Sequence, residues 1–286
     1  MYIFLFIMAL INKKYLLLEK IGEGSFGFIY KGQNIRTNEF VAIKIEKIDC
    51  DTKILKREAI IYQYINNNQY TPQIKWFGKD NINHYMVINL LGGSLKTKKQ
   101  LDGPFSLTKT LETGLQIIEL IEFIHNKDLI HRDIKPDNFL YNINNDKLFI
   151  IDFGFCKPFI INNKHIREKK TNNIIGSLTY ASINAHELNE LSRRDDLESI
   201  AYMLIFLYLN NLPWSNEERK NIHHMKKQFI NNKINVLPNV LVQFLNYSKS
   251  LSFSETPDYN YIKNTIFTSF NISNAELFIK KIETNN

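Results

Sequence analysis

Two cysteines in 286 residues, Cys50 and Cys156, are too few for a disulfide framework and stand in no CxxC or Cys/His spacing that would hold zinc. That scarcity fits a reducing compartment, so the expected location is the cytoplasm, with the nucleus left open. Nor is there an apolar run of the roughly 20 residues that a membrane-spanning helix needs; the nearest approach, Met1 to Ile11, falls well short. This stretch also lacks a basic leading segment and a small-residue cleavage site, so neither a firm membrane anchor nor a signal peptide is expected. Residues 1–14 are read as an N-terminal extension. Within it, residues 1–7 either precede a second start at Met8 or form a strand packed on the following lobe. No internal repeat and no nucleic-acid recognition motif is present, so specific nucleic-acid binding is not expected.

What the chain does contain is ordinary globular material, with 44% hydrophobic, 23% charged and 13% aromatic residues. Its length suits one large domain or two lobes. Lys plus Arg at 36 against Asp plus Glu at 29 gives a net charge of +7, which suits either a basic patch for acidic or phosphorylated partners or a well-solvated surface.

The most informative stretch is His131-Arg132-Asp133-Ile134-Lys135-Pro136-Asp137-Asn138, followed by Asp152-Phe153-Gly154. This spacing supplies what phosphoryl transfer requires: Asp133 to accept a hydroxyl proton, Lys135 to neutralise a moving phosphoryl group, and Asn138 and Asp152 as hard oxygen ligands for magnesium. His131 is read as a packing and hydrogen-bonding residue, since Asp133 is the group placed to orient the hydroxyl. Upstream, Gly22-Glu23-Gly24-Ser25-Phe26-Gly27 lies between two strand patterns, where absent side chains let backbone amides approach phosphate oxygens. Such a turn is weak evidence until joined to Lys44 of Val41-Ala42-Ile43-Lys44, which can reach the phosphates while Glu58 pairs with its head group. Lys135 marks the serine/threonine type of catalytic loop. Ser177 is expected to touch Asp133 and Lys135 through its hydroxyl. Asp196, at the start of a buried helix, is expected to accept backbone N–H groups of the catalytic loop.

Periodicity predicts strands at Leu16–Ile21, Phe26–Gly32, Phe40–Ile45, Ile74–Gly78 and Tyr85–Asn89, with one helix over Lys53–Ile65. Helices then dominate: Leu107–His125, Leu197–Leu209, Arg219–Phe229, Leu237–Tyr247 and Tyr259–Phe270, with a hairpin of Phe139–Tyr141 and Lys147–Ile151. The expected fold is α+β and bilobal, with an antiparallel sheet lobe over residues 15–89 and a helical lobe over 90–286.

At this point the chain resembles the casein kinase I group of protein kinases. The resemblance rests on Leu91-Gly92-Gly93-Ser94-Leu95, on Tyr180-Ala181-Ser182-Ile183-Asn184-Ala185-His186 in place of Ala-Pro-Glu, on Ser192-Arg193-Arg194-Asp195-Asp196-Leu197-Glu198-Ser199, on Leu212-Pro213-Trp214 and on Pro257-Asp258-Tyr259. It runs from about Tyr15 to Phe270 and implies an ATP- and magnesium-dependent serine/threonine kinase, expected as a monomer. Its substrates would be proteins with Ser or Thr near acidic or already phosphorylated residues, and it would act without activation-loop phosphorylation. By position, Ile21 to Gly27 would lie over the nucleotide and Ile88 would guard the back of its pocket. Asn89 to Leu91 would be the adenine-binding hinge, Ile29 and Ala42 would cover the ring, and Leu140 would lie beneath it. One departure is Thr179, where the family has an arginine that helps hold a substrate phosphate; Lys157, Lys170 and Lys227 are the candidates to compensate. The segment before Gly176 reads about two residues longer than the family pattern. The short stretch after Phe270 suggests no inhibitory tail. A pseudokinase scaffold with the same fold is the alternative, and a nucleic-acid module driven by basic charge is a more remote one.

Overall fold

The computed structural model describes residues 10–24, 27–49, 53–66, 68–144, 146–232 and 237–267. The expectations for residues 1–7, Ser25, Phe26, Cys50 and the end of the Tyr259–Phe270 helix lie outside them. The chain divides into two compact units, Met1–Gly93 with Leu140–Gly154, and Ser94–Phe139 with Phe155–Asn286.

Among its described residues the first unit holds a six-stranded antiparallel sheet and one helix. Strands β1 (Leu10–Ile11), β2 (Tyr15–Gly24), β3 (Gly27–Asn34), β4 (Phe40–Lys47), β5 (Ile74–Lys79) and β6 (Asn83–Asn89) lie in the order β1-β2-β3-β4-β6-β5. The helix is α1 (Ile54–Tyr64). The period-2 pattern explains the packing. Val41 and Ile43 point from β4 into a core with Ile11, Tyr15, Tyr85 and Val87, while Ala42, Lys44 and Glu46 alternate onto the opposite face. Part of the apolar N-terminal extension therefore joins the sheet, Leu10 and Ile11 pairing with Leu16 and Tyr15.

Helix α1 is positioned by a buried carboxylate. Glu46, 2% exposed, accepts the backbone N–H groups of Ile54 and Leu55, each at 3.1 Å. A negative charge at the N-terminus of a helix satisfies orphan donors and complements the helix dipole. Residues 140–154 also belong to the first unit, whereas the sequence reading put the whole of 90–286 in the helical lobe. The correction has a hydrogen-bonding cause. The hairpin of β8 (Phe139–Tyr141) and β9 (Leu148–Ile150) is tied in by Gly92 N–H to Tyr141 O at 2.8 Å, Tyr141 N–H to Gly93 O at 3.0 Å and Ile150 N–H to Tyr70 O at 3.0 Å.

The second unit is mostly helical: α2 (Leu95–Asp102), α3 (Leu107–His125), α4 (Ile183–His186), α5 (Arg193–Leu209), α6 (Arg219–Asn232), α7 (Asn239–Ser250) and α8 (Tyr259–Tyr261), the last running into a π-helical turn over Ile262–Phe267. Short strands β7 (Leu129–Ile130) and β10 (Lys157–Pro158) pair antiparallel, as do β11 (Ile160–Ile161) and β12 (Lys164–His165). Helix α5 packs on α3 and α7 and is buried almost all round, from Asp195 to Ile205 without a break. It starts four residues before the apolar pattern that begins at Leu197, at a cap in which Asp195 accepts the Ser192 N–H at 2.8 Å. Helix α2 escapes the periodicity argument because Leu95-Lys96-Thr97-Lys98-Lys99-Gln100-Leu101-Asp102 carries only two apolar residues. Its start is set by Ser94, whose Oγ accepts the Thr97 N–H at 3.1 Å.

Candidate active site

In the first unit, β4 presents Lys44 from a sheet face whose register also carries the other predicted nucleotide residues. Ala42 lies opposite Ile88, Lys44 opposite Ile29 on one side and Met86 on the other, and Gly22 opposite Ile29. Ile21 and Glu23 are exposed on β2, and Glu23 pairs with Lys20 at 2.6 Å. Gly24 and Gly27 close the β2–β3 hairpin as partners. The space around Gly27 explains its lack of a side chain: a Cβ there would collide with the Ile45 carbonyl oxygen. Asn89 holds the end of β6 by accepting the Gln73 N–H on Oδ1 at 2.8 Å, Leu91 follows it, and Leu140 stands on β8.

Lys44 donates to Glu58 at 2.6 Å and stands 3.8 Å from Asp152. Burial works against the ammonium, but the charges of Asp152 and Glu58 outweigh it and lift Lys44 above its usual range. Glu58 is pushed up to about 7 by burial, which exceeds the opposing pull of Lys44, with Asp152 adding repulsion. Asp152 has φ +67°, a left-handed backbone for a residue other than glycine, and the next side chain, Phe153, packs edge-on against Tyr62 of α1 at 4.9 Å. Such local strain persists only where neighbours hold it.

In the second unit the catalytic loop is organised around two aspartates. Asp133, 3% exposed, receives Lys135 at 2.6 Å and the Asn138 amide at 3.2 Å, both on Oδ2, while Oδ1 accepts the Ser177 N–H at 2.9 Å. Ser177 thus meets Asp133 through its backbone, where the sequence reading expected its hydroxyl. The turn at Gly176 imposes this, with φ +85° and no room for a Cβ against the Arg132 carbonyl oxygen. The Asn138 amide nitrogen also donates to Asp133 O at 2.8 Å. With its nitrogen so engaged, Asn138 keeps its oxygen as the end that suits a hard cation, as does the carboxylate of Asp152.

Asp196 accepts the backbone N–H of His131 at 2.8 Å and of Arg132 at 2.9 Å, as its place at the start of the buried helix implies. It also accepts from His125 Nε2 at 2.9 Å, and His125 Nδ1 meets the Tyr259 hydroxyl at 2.5 Å. Burial pushes His125 below its usual range, so the ring is neutral, with its proton toward Asp196 and Nδ1 accepting from Tyr259. Burial also opposes the Asp196 charge, yet the hydrogen bonds it accepts from His125 and from the His131 N–H hold the carboxyl below the usual range. His131 is fully buried and its Nδ1 accepts the Asp133 N–H at 3.3 Å. Arg132, at φ +67°, donates from Nε to Phe155 O at 2.7 Å.

The sequence reading missed Glu46, His125, Tyr259 and Lys226. Pro257-Asp258-Tyr259 signalled Tyr259 as a motif, but its partner lies 134 residues away. The two motifs around Ser182 and Asp195 turn out to be one structure. Asp195 accepts the Ser182 hydroxyl at 2.7 Å and the Asn184 amide at 3.0 Å, and Glu198 accepts the Ile183 N–H at 3.0 Å. The three lysines expected to compensate for Thr179 are already engaged: Lys157 with Glu190 at 2.9 Å, Lys227 with Glu187 at 2.6 Å, and Lys170 with Asn189 Oδ1 at 2.7 Å.

Comparison with known proteins agrees with this geometry. A family model described as the protein kinase domain matches residues 15–275. A protein of Dictyostelium discoideum named as a probable serine/threonine-protein kinase is 35% identical over 288 residues, which cover 97% of this chain and 58% of that relative. The chain therefore spans little more than half the length of that relative. With the family model covering both the sheet unit and the helical unit, the chain belongs to the protein kinase domain family.

Proposed function

We propose that this protein is a serine/threonine protein kinase of the casein kinase I type, transferring the terminal phosphoryl group of ATP to Ser or Thr side chains. The observation that carries the reading is the Asp133 carboxylate, held at once by Lys135, Asn138 and the Ser177 N–H. Asp133 orients the substrate hydroxyl and takes its proton as the oxygen–phosphorus bond forms and the bond to ADP breaks. Lys135 offsets charge on the moving group, and Lys44, fixed by Glu58, positions the phosphates of ATP. Asn138 and Asp152 would hold magnesium, which supplies positive charge against the triphosphate. The adenine ring falls to Ile29, Ala42, Ile88, Leu140 and the backbone of Asn89 to Leu91.

The casein kinase I assignment is supported by the coupling of its two marker motifs through Asp195 and Glu198. Independence from activation-loop phosphorylation is supported by the closed Lys44–Glu58 pair and by the Arg132 bond to Phe155 O, both formed in the unmodified chain. Because Lys157, Lys170 and Lys227 already have partners and Thr179 lacks a cation, we read the preferred sites as acidic rather than phospho-primed. Phosphorylation of a peptide library containing acidic, primed and neutral Ser/Thr sequences tests this. Acidic peptides should lead for the wild type, and Thr179→Arg should raise the primed ones. Absence of transfer to every peptide would remove the kinase reading, and a strong primed preference in the wild type would remove the substrate reading.

A further inference from the structure

Under the segment that follows Gly176 lies a lysine with no exposed surface. Lys226 of α6 is 0% exposed, and its ammonium donates to the carbonyl oxygens of Leu178 at 3.0 Å and Ala181 at 2.5 Å. It stands 4.7 Å from the centre of the Tyr202 ring and 5.4 Å from that of Trp214. The intervening carbonyl, of Thr179, accepts the Trp214 Nε1–H at 2.8 Å. Among the described residues no carboxylate comes within 4.0 Å of Lys226. A buried ammonium without an ion pair is costly, and here carbonyl dipoles and ring faces take the place of a carboxylate. The segment's other end is tied to Asp133 through the Ser177 N–H at 2.9 Å. Residues 177–181 thus run from the Asp133 carboxylate at one end to the Lys226 ammonium at the other.

We propose that Lys226 is a positioning residue for the peptide substrate: by holding the Leu178 and Ala181 carbonyls it fixes residues 177–181 relative to Asp133, and the substrate backbone docks on that fixed edge. The inference rests on the kinase reading above. Its pH behaviour follows from what faces the amine. Burial, opposed by Glu198, pushes Lys226 down to about 7. Glu198 and Tyr202 face it from α5, His186 from α4, and His223 and Arg219 stand beyond His186 on α6. Burial and the Lys226 charge hold His186 down to about 4, so that ring stays neutral while Lys226 titrates. The amine is a charged, stronger donor below that point and a weaker one above it.

The test uses the whole chain, an acidic serine peptide with ATP for rates, and its Ser→Ala version for equilibrium binding by fluorescence anisotropy, between about pH 6 and 8.5. The peptide KM and Kd should rise about tenfold with pH, whereas use of ATP, which depends on the Lys44–Glu58 pair, should weaken only toward the acid end, in the opposite sense. Lys226→Met should raise the peptide KM about tenfold at the acid end and remove the pH slope, with the ATP KM unchanged. Lys226→Arg should keep tight binding without the slope, and His223→Asn should keep the slope. Level wild-type binding across this range, or a Lys226→Met protein that binds the peptide as the wild type does, would overturn the proposal. If Lys226→Met does not fold, the wild-type slope and Lys226→Arg decide. Wild-type protein that binds peptide with the expected slope but never transfers phosphate would sink the kinase reading, whereas phosphate transfer with level peptide binding would sink the Lys226 proposal alone.

Discussion

Replacing Asp196 with Asn probes the fold and the site together without touching a reacting group. The wild-type carboxylate serves three donors, the His131 and Arg132 N–H groups and His125 Nε2, at 2.8–2.9 Å. Hydrogen bonds to a charged acceptor contribute about 1.5–3 kcal/mol each against about 1 for neutral ones, and a buried donor left unsatisfied costs about 1–3 kcal/mol. Asn keeps one acceptor oxygen but turns an N–H₂ toward at least one of the three donors. The expected loss is about 3–5 kcal/mol. At about 2–4 °C per kcal/mol for a chain of this size, Tm should fall on the order of 10 °C. Loosening the Arg132 backbone displaces Asp133, so kcat should fall about 100-fold. Nucleotide affinity should hold, since Lys44 and Glu58 belong to the other unit. Scanning calorimetry, single-turnover phosphoryl transfer and binding of a non-hydrolysable ATP analogue check each part. An Asp196→Asn protein that melts with the wild type and turns over at its rate would refute the reasoning.

Asp133→Asn should lower kcat about 10²- to 10⁴-fold with little change in ATP-analogue affinity, and near-normal turnover in a stopped assay would show that another group takes the proton. The pH profile of kcat/KM for ATP should fall on the acid side of about 7 as Glu58 takes up a proton and releases Lys44. Glu58→Gln should be low and lack that limb, and an unaltered acid limb in this variant would assign it elsewhere.

The candidate site groups were legible in the sequence because they sit in short strings with fixed internal offsets. Asp133, Lys135 and Asn138 lie within six positions and reach one another through a single turn, Pro136–Asn138. The strands were legible for a similar reason, since Val41, Ile43 and Ile45 announce a buried face by alternation alone. Helix α2 was not, because a solvated helix carries no apolar stripe. His125 and Glu46 gave no local sign either, and the motif that marked Tyr259 did not show its role, since a buried polar residue is justified by partners that are distant along the chain.

Lys44, Glu58, Asp152 and the Asp133 loop were thus picked out as candidates by residue type and spacing, and the structure pairs Lys44 with Glu58 and Asp133 with Lys135. Only the tertiary structure decided how they are held. It showed that Asp196 receives its support from His125 and Tyr259, that Ser177 meets Asp133 by its backbone, and that Lys226 lies dry beneath Leu178 and Ala181. The reason is physical: burial and long-range hydrogen bonds depend on which side chains meet after folding, and no periodicity in the sequence encodes those meetings.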